Sequence, residues 1–254
     1  MAGEFSLLDK AALVIGASNP IGRAIAVALA EAGADVAVAT TTRAQSEEVI
    51  ANSCCNEMWA LNRKSFAQAM DASSEADVSA LVDRAVAELG KLEVLVNAQD
   101  LPFAKPLAET SYEEWRRVLD TNAGGMFLSA KAAAPHLLGH GRIINVATVL
   151  GERGMANGSA YCTAQAGVFN LTRALALEFA REGINVNAIG AGWTEGMGII
   201  GGEDNRQQLE RYLPYKRLAK PDEIAGTAVY LASEAAAYLT GQVVWVEGGA
   251  LSHV

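Results

Sequence analysis

The sequence predicts a single-domain, doubly wound α/β fold: a parallel sheet of about seven strands with helices on both faces. Three observations carry this. Short apolar runs alternate with segments of helical periodicity from end to end. No linker, low-complexity tract or short repeat divides residues 1–254. Apolar residues make up 51% of the chain and charged residues 19%, enough to fill a packed core and too apolar for disorder.

The elements follow in order. "AALVIG" (11–16) reads as a buried strand and "IGRAIAVALAEAG" (21–33) as a helix closed by Gly33. "DVAVAT" (35–40) is a second strand, 44–62 a helix and "FAQAMD" (66–71) a third strand. "EADVSALVDRAVAELG" (75–90) is an amphipathic helix, and "LEVLVN" (92–97) a fourth strand. Helices are expected at about 111–120 and 123–138, then the strand "RIINVA" (142–147) and a long helix over 159–181. "INVNAI" (184–189), a helix over 221–232 and "QVVWVEG" (242–248) complete the pattern. Strict strand–helix alternation gives a parallel sheet covered on both faces. Ligands then bind beyond the carboxyl ends of the strands, near the point where strand order reverses.

Composition narrows the function classes. A net charge of −9 and a pI near 4.9, with no basic cluster, argue against nucleic-acid binding. The start MAGEFSLLDK has neither a basic opening nor a long apolar run, so no signal peptide is expected. Apolar stretches break well before 18 residues, so no membrane span is expected either. Three cysteines, an odd number, point to a reducing compartment and a cytoplasmic location. Cys54 falls at helical spacing with Ile50, Met58 and Leu61, which predicts a buried thiol. His136, His140 and His253 form no ligand pattern with the cysteines, so no metal site is expected.

"LVIGASNPIGRAIA" (13–26) leads from a strand through a glycine-bearing turn into a helix. The N–H groups of a helix N-terminus that lack intrahelical partners attract anions. Gly16 permits the turn, and Gly22 lets helix and strand approach closely. Taken alone, the stretch also reads as an ordinary strand–helix turn. "SAYCTAQAG" (159–167) reads as a helix start carrying an exposed Tyr161, with Gln165 one turn later.

Residues 15–22, IGASNPIG, resemble TGxxxGxG, the fingerprint of the short-chain dehydrogenase/reductase family, with Ile15 for threonine and Pro20 for the middle glycine. Residues 217–249 resemble the family's C-terminal pattern, so the likeness covers nearly the whole chain. It implies a Rossmann-type fold and an oxidoreductase that interconverts a carbonyl and an alcohol with NADP(H), NAD(H) being the other choice. It implies a nucleotide held by Gly16, Ser18, Asn19, Ile21, Gly22, Thr40, Arg43, Asp71, Ala72, Asn97, Ala98, Gln99, Gln165, Gly192 and Thr194. In this pattern Asp71 would meet the adenine amino group, and Gly192 and Thr194 the carboxamide.

Several of these positions depart from the family. Pro20 has no N–H and removes one backbone donor at the pyrophosphate. Thr40 stands where an acid would hold the ribose hydroxyls of NAD, and Arg43 could meet a 2′-phosphate; NADP(H) is therefore expected over NAD(H). Asn19 replaces the loop base that NADP enzymes of the family often carry. "VNAQD" (96–100) stands where the family reads NNAG. Asn97 is kept, and Asp100 puts a charge near where the cofactor would lie or else points to solvent.

The resemblance assigns catalysis to Asn122, Thr148, Tyr161 and position 165. Tyrosine moves the proton, the hydroxyl at 148 holds the substrate oxygen, and asparagine holds a water. Gln165 replaces the lysine that lowers the tyrosine pKa. A cation about 5 Å away at an effective dielectric near 20 is worth roughly 3 kcal/mol, or about two pKa units. Gln165 supplies none of this, so weakened or altered catalysis that favours reduction is expected. The alternatives are a non-catalytic nucleotide-binding or scaffold homologue, and a non-redox lyase or dehalogenase. Glycine-rich 196–203 predicts a substrate lid, at about 193–215, and Trp193, Met197, Ile199 and Ile200 predict an apolar carbonyl substrate. The resemblance implies a homotetramer or homodimer, and Met126, Phe127, Phe169, Leu171, Leu175 and Phe179 put apolar residues on more than one helix face, in keeping with it.

Overall fold

The computed structural model describes residues 3–198 and 203–252. Seven parallel strands form one sheet in the order β3-β2-β1-β4-β5-β6-β7. β1 is Ala11–Ile15, β2 Asp35–Ala39, β3 Ala67–Gln68, β4 Val94–Asn97, β5 Arg142–Thr148, β6 Asn185–Ala191 and β7 Val243–Val246. The helices are α1 Pro20–Glu31, α2 Gln45–Ala60, α3 Glu75–Leu89, α4 Tyr112–Leu119, α5 Gly125–Ala133, α6 Ser159–Phe179, α7 Glu203–Tyr212 and α8 Pro221–Ala232.

Side chains along each strand alternate between two cores. Ala12 and Val14 pack with α1, α2 and α8, whereas Leu13 and Ile15 pack with α3 and α5. The strand order reverses between β1 and β4, so the cleft beyond their carboxyl ends is the expected ligand position.

The differences from expectation are local. The third strand shrinks to two residues, because only Ala67 and Gln68 pair with β2. The helix expected over 123–138 is broken. A π-turn at Asp120–Gly124 precedes α5, and a 3₁₀ turn follows it at Ala134–His136, where Pro135 cannot continue the α-helical bonding. Residues 203–212, expected as part of a loop-like lid, form α7. Ile199 and Ile200 lie outside the described residues.

Cys54 and Cys55 are buried in α2, and burial pushes the Cys54 thiol up to about 12, so it is inert. Among the described residues, no helix is long and apolar enough to cross a membrane. No group of three or more His, Cys, Asp or Glu residues among them could hold a metal ion.

Candidate active site

The loop between β1 and α1 is held tightly. Gly16 has a φ of +89°, and a Cβ there would collide with the backbone of Ala98 and Gln99. A Cβ on Gly22 would collide with the Gly16 carbonyl, so helix and loop touch there. Asn19 caps α1: its Oδ1 accepts the Gly22 N–H at 2.9 Å, and its Nδ2 donates to the Ala98 carbonyl at 2.6 Å. Pro20 occupies the first helical position, which tolerates a residue without N–H. The Ile21 N–H is left as a first-turn donor that the Asn19 cap does not use.

At the end of β2 the sequence expectation changes. Thr40 is fully buried; its hydroxyl donates to the Met70 carbonyl (3.2 Å) and accepts the Met70 N–H (3.0 Å). It therefore offers nothing to a ribose. Arg43 is forked onto Asp77, with Nε to Oδ2 at 3.0 Å and Nη2 to Oδ1 at 2.7 Å. Asp71 folds onto its own turn, accepting from the N–H and hydroxyl of Ser73, and Ala72 is buried behind it.

The end of β4 is built from buried amides. Asn97 donates to Asn145 on β5 at 2.9 Å and accepts from Ser129 at 2.6 Å. It ties strands together, and both polar atoms of its side chain are engaged there. Ala98 is buried and contributes its carbonyl to Asn19. Gln99 is buried as well, and neither polar atom of its side chain has a hydrogen-bond partner among the described residues.

Asp100 turns inward. Its Oδ1 accepts the Tyr161 hydroxyl at 2.7 Å and the Gln165 Nε2 at a longer 3.4 Å. Gln165 Oε1 in turn accepts the Thr148 N–H at 2.8 Å. Gln165 is thus held between β5 and Asp100, and a ribose would have to compete for it. Tyr161 is 1% exposed, not the surface residue expected, because Val118, Leu150 and Ala164 pack around its ring. Thr148 lines the same small cavity as Tyr161 and opposes, in part, the rise of the phenol pKa.

Burial pushes the Asp100 carboxyl up to about 6, although the Tyr161 hydrogen bond pulls the other way. Burial, then the Asp100 charge and the hydrogen bond to it, hold the Tyr161 phenol well above its ordinary value.

Asn122 sits in the π-turn. Its Oδ1 accepts the Leu101 N–H (2.9 Å), and its Nδ2 donates to the carbonyls of Leu101 (3.1 Å) and Val118 (3.0 Å). It therefore clamps the residue next to Asp100, a role the water-holding expectation did not include.

The loop after β6 covers the site. Thr194 is buried, with its hydroxyl on the Gly192 carbonyl at 2.9 Å, and Gly192 packs against Glu247. Both line the small cavity beside Tyr161, with the Thr194 hydroxyl turned back onto its own loop. A cavity of about 20 Å³ lies between Tyr161, Asp100, Thr148, Trp193 and Met197, with room for about one water. Beside it, sharing Leu150 and Trp193, is a pocket of about 430 Å³ walled also by Met155, Arg153 and, from α7, Leu209 and Tyr212.

Comparison with known proteins agrees with this architecture. Residues 16–250 match a family model described as enoyl-(acyl carrier protein) reductase. The chain is 37% identical to cis-4-hydroxycyclohexanecarboxylate dehydrogenase of Sinomonas cyclohexanicum over 95% of this chain and 96% of that protein. It is 35% identical to a 3-oxoacyl-[acyl-carrier-protein] reductase of Staphylococcus aureus over 95% and 98%. A blue fluorescent protein from a metagenomic library, solved with NADPH, superposes with a TM-score of 0.90 at 31% identity, over 96% of this chain and 99% of that one. A 7α-hydroxysteroid dehydrogenase, solved with NADH and 7-oxo glycochenodeoxycholic acid, gives 0.91 at 30%, over 97% and 96%. With the sheet order, the glycine turn and the Thr148–Tyr161 pair in place, the chain belongs to the short-chain dehydrogenase/reductase family.

Proposed function

We propose that this protein is an NAD(P)(H)-dependent oxidoreductase that interconverts a carbonyl compound and its alcohol, with Tyr161 and Asp100 carrying the proton. The observation behind this reading is the 2.7 Å Tyr161–Asp100 hydrogen bond beside Thr148. A nicotinamide nucleotide fits the cleft on two counts. The orphaned Gln99 amide lacks partners that a ribose hydroxyl could supply, and the Ile21 N–H stands ready for a phosphate. When bound, the nicotinamide supplies or accepts the hydride.

Thr148 orients the substrate oxygen toward the Tyr161 hydroxyl. In reduction, Tyr161 gives its proton to that oxygen while a protonated Asp100 gives its own to Tyr161. In oxidation both transfers reverse, and the Asp100 carboxylate is the final acceptor. This relay avoids a bare phenolate, which the high Tyr161 pKa makes costly. Asn122 positions Asp100 through Leu101. The 20 Å³ beside Tyr161 is too little for an aromatic ring, so the walls of this cavity, Met197 among them, would have to shift to admit a nicotinamide. That fits the lid expected over about 193–215, of which residues 199–202 lie outside the described residues and 203–212 form α7. The walls Leu150, Met155, Trp193 and Leu209 suit an apolar substrate.

NADH and NADPH titration by fluorescence, followed by turnover with a panel of ketones, tests this reading. Tyr161→Phe is expected to keep nucleotide affinity and to lose at least ~100-fold in kcat/KM. One observation favours a second reading: the lysine position holds Gln165, whose amide is engaged by Thr148 and Asp100. Nucleotide binding with no turnover by any panel member would make the chain a non-catalytic nucleotide-binding homologue.

The same reading includes self-association. Met126, Phe169 and Leu175 are buried within the chain, but Phe127, Leu138 and Leu177 are exposed along α5, α6 and the turn after α5. Phe127 and Leu138 line a groove of about 650 Å³ that also takes in Leu175 and Phe179. A homodimer or homotetramer would cover them. Sedimentation at micromolar concentration should give a species above 26.6 kDa; a monomer alone removes the proposal.

A further inference from the structure

The acid missing from the end of β2 has a substitute in space. Glu47, in the first turn of α2, reaches back over the cleft to the loop that follows Thr40. Its Oε2 accepts the Ser18 hydroxyl at 2.7 Å, the Thr41 N–H at 2.8 Å and the Thr42 N–H at 3.1 Å. Its Oε1 accepts the Thr42 hydroxyl at 2.5 Å. Four donors from two separate loops thus converge on one carboxylate. Ser18 belongs to the glycine turn, and Thr41 and Thr42 follow β2. These are the two segments that flank an adenosine ribose at the switch point of a doubly wound sheet.

Four converging hydroxyl and N–H donors also make a nest suited to a phosphate. The groups nearby do little to recruit one. Arg43 is spent on Asp77, and Arg23 is paired with Glu57. Thr40 is buried against Met70. A 2′-phosphate entering here would meet the Glu47 charge at close range and find the donors taken. A ribose 2′-hydroxyl would instead find a carboxylate acceptor.

We infer that Glu47 is a specificity-determining residue of the nucleotide cleft, a carboxylate that fills the Ser18–Thr41–Thr42 nest and discriminates against the 2′-phosphate of NADP(H) relative to NAD(H). The inference rests on the nicotinamide-nucleotide reading above, and it adds a residue outside the end of β2. Glu47 lowers NADP(H) affinity whichever form the protein uses, because displacement of the carboxylate must precede seating of the phosphate.

The test is calorimetric and needs no turnover. Binding of 2′,5′-ADP and of 5′-AMP is measured for the full-length protein and for Glu47→Gln and Glu47→Ala, with thermal unfolding as a folding check. Removing the charge should tighten 2′,5′-ADP at least ~10-fold in both variants and change 5′-AMP less than ~3-fold. Glu47→Gln keeps the side-chain length, so it reports on charge even if Glu47→Ala loosens the loop. If both ligands weaken together in Glu47→Gln, Glu47 is only a brace for the loop and the inference falls. If neither variant alters either ligand, it falls as well. If no nucleotide binds any of the three proteins, the cofactor reading itself fails and takes this inference with it.

Discussion

At pH 8 the double variant Asp100→Gly/Gln165→Lys is expected to reduce ketones about 100-fold faster than the starting protein. The reason lies in the charge beside Tyr161. In the starting protein, burial and the Asp100 carboxylate keep the phenol well above its ordinary pKa, and no cation opposes them. Asp100, with a pKa of about 6, is mostly ionised at pH 8. Only about 1% of it then carries the proton the relay needs, since the protonated fraction falls tenfold per pH unit. Removing the carboxylate and adding an ammonium lets Tyr161 give up its proton without Asp100. The single variant Gln165→Lys should gain little, because Gln165 Nε2 already sits 3.4 Å from Asp100 Oδ1 and an ammonium there would pair with the carboxylate. Asp100→Gly alone lowers the phenol pKa without supplying a cation, and falls between. Steady-state kcat/KM for the four proteins at pH 8 decides the matter. A double variant that binds nucleotide but gains nothing would show that the site lacks more than its lysine.

The sheet was legible in the sequence because alternation and apolar runs report burial directly. Coverage of the sheet on both faces follows from it, whereas the strand order comes from the pairing of the strands. The Thr148–Tyr161 spacing was legible too, since a strand end and the next helix fix it locally. Asp100 was visible only as a departure from the family's glycine. Its partner Tyr161 stands 61 residues away in the chain, and only closure of β4 beside β5 brings them together. Tyr161 itself read as exposed because a helix start has no strong apolar pattern; its burial comes from Val118 and Leu150 on other elements. Glu47 gave no signal, since an acid in the first turn of a helix is favoured by the helix dipole wherever it points. Helix α7, EDNRQQLERY, was missed because its only large apolar side chains, Leu209 and Tyr212, fall near its end and glycines precede it. Thr40 and Arg43 fit a phosphate by residue type, yet tertiary partners claim both.

Asp100 should also make both rate and stability turn over near pH 6. For the rate, reduction draws its proton from neutral Asp100, so kcat/KM for ketones should fall about 50-fold from pH 6 to pH 8. Alcohol oxidation uses the carboxylate and should rise through about pH 6 to a plateau. In Asp100→Asn both inflections should vanish. For stability, the folded-state pKa of about 6 lies above the ordinary carboxyl value, so the folded protein binds the Asp100 proton more tightly than the unfolded chain does. The contribution is favourable or neutral only while the group stays protonated in both states, below about pH 4. It is lost as pH rises to about 6, and above that the buried charge costs on the order of 3 kcal/mol, from about two pKa units at 1.36 kcal/mol each. Asp100→Asn removes that cost and keeps an oxygen to accept the Tyr161 hydroxyl. It should therefore raise Tm at pH 8 by roughly 6–10 °C for a chain of this size, and the gain should shrink toward zero at pH 4. Calorimetric melts at the two pH values measure the difference. An equal Tm for the two proteins at pH 8 would mean that Asp100 is well solvated, and the relay would then lose its shared proton.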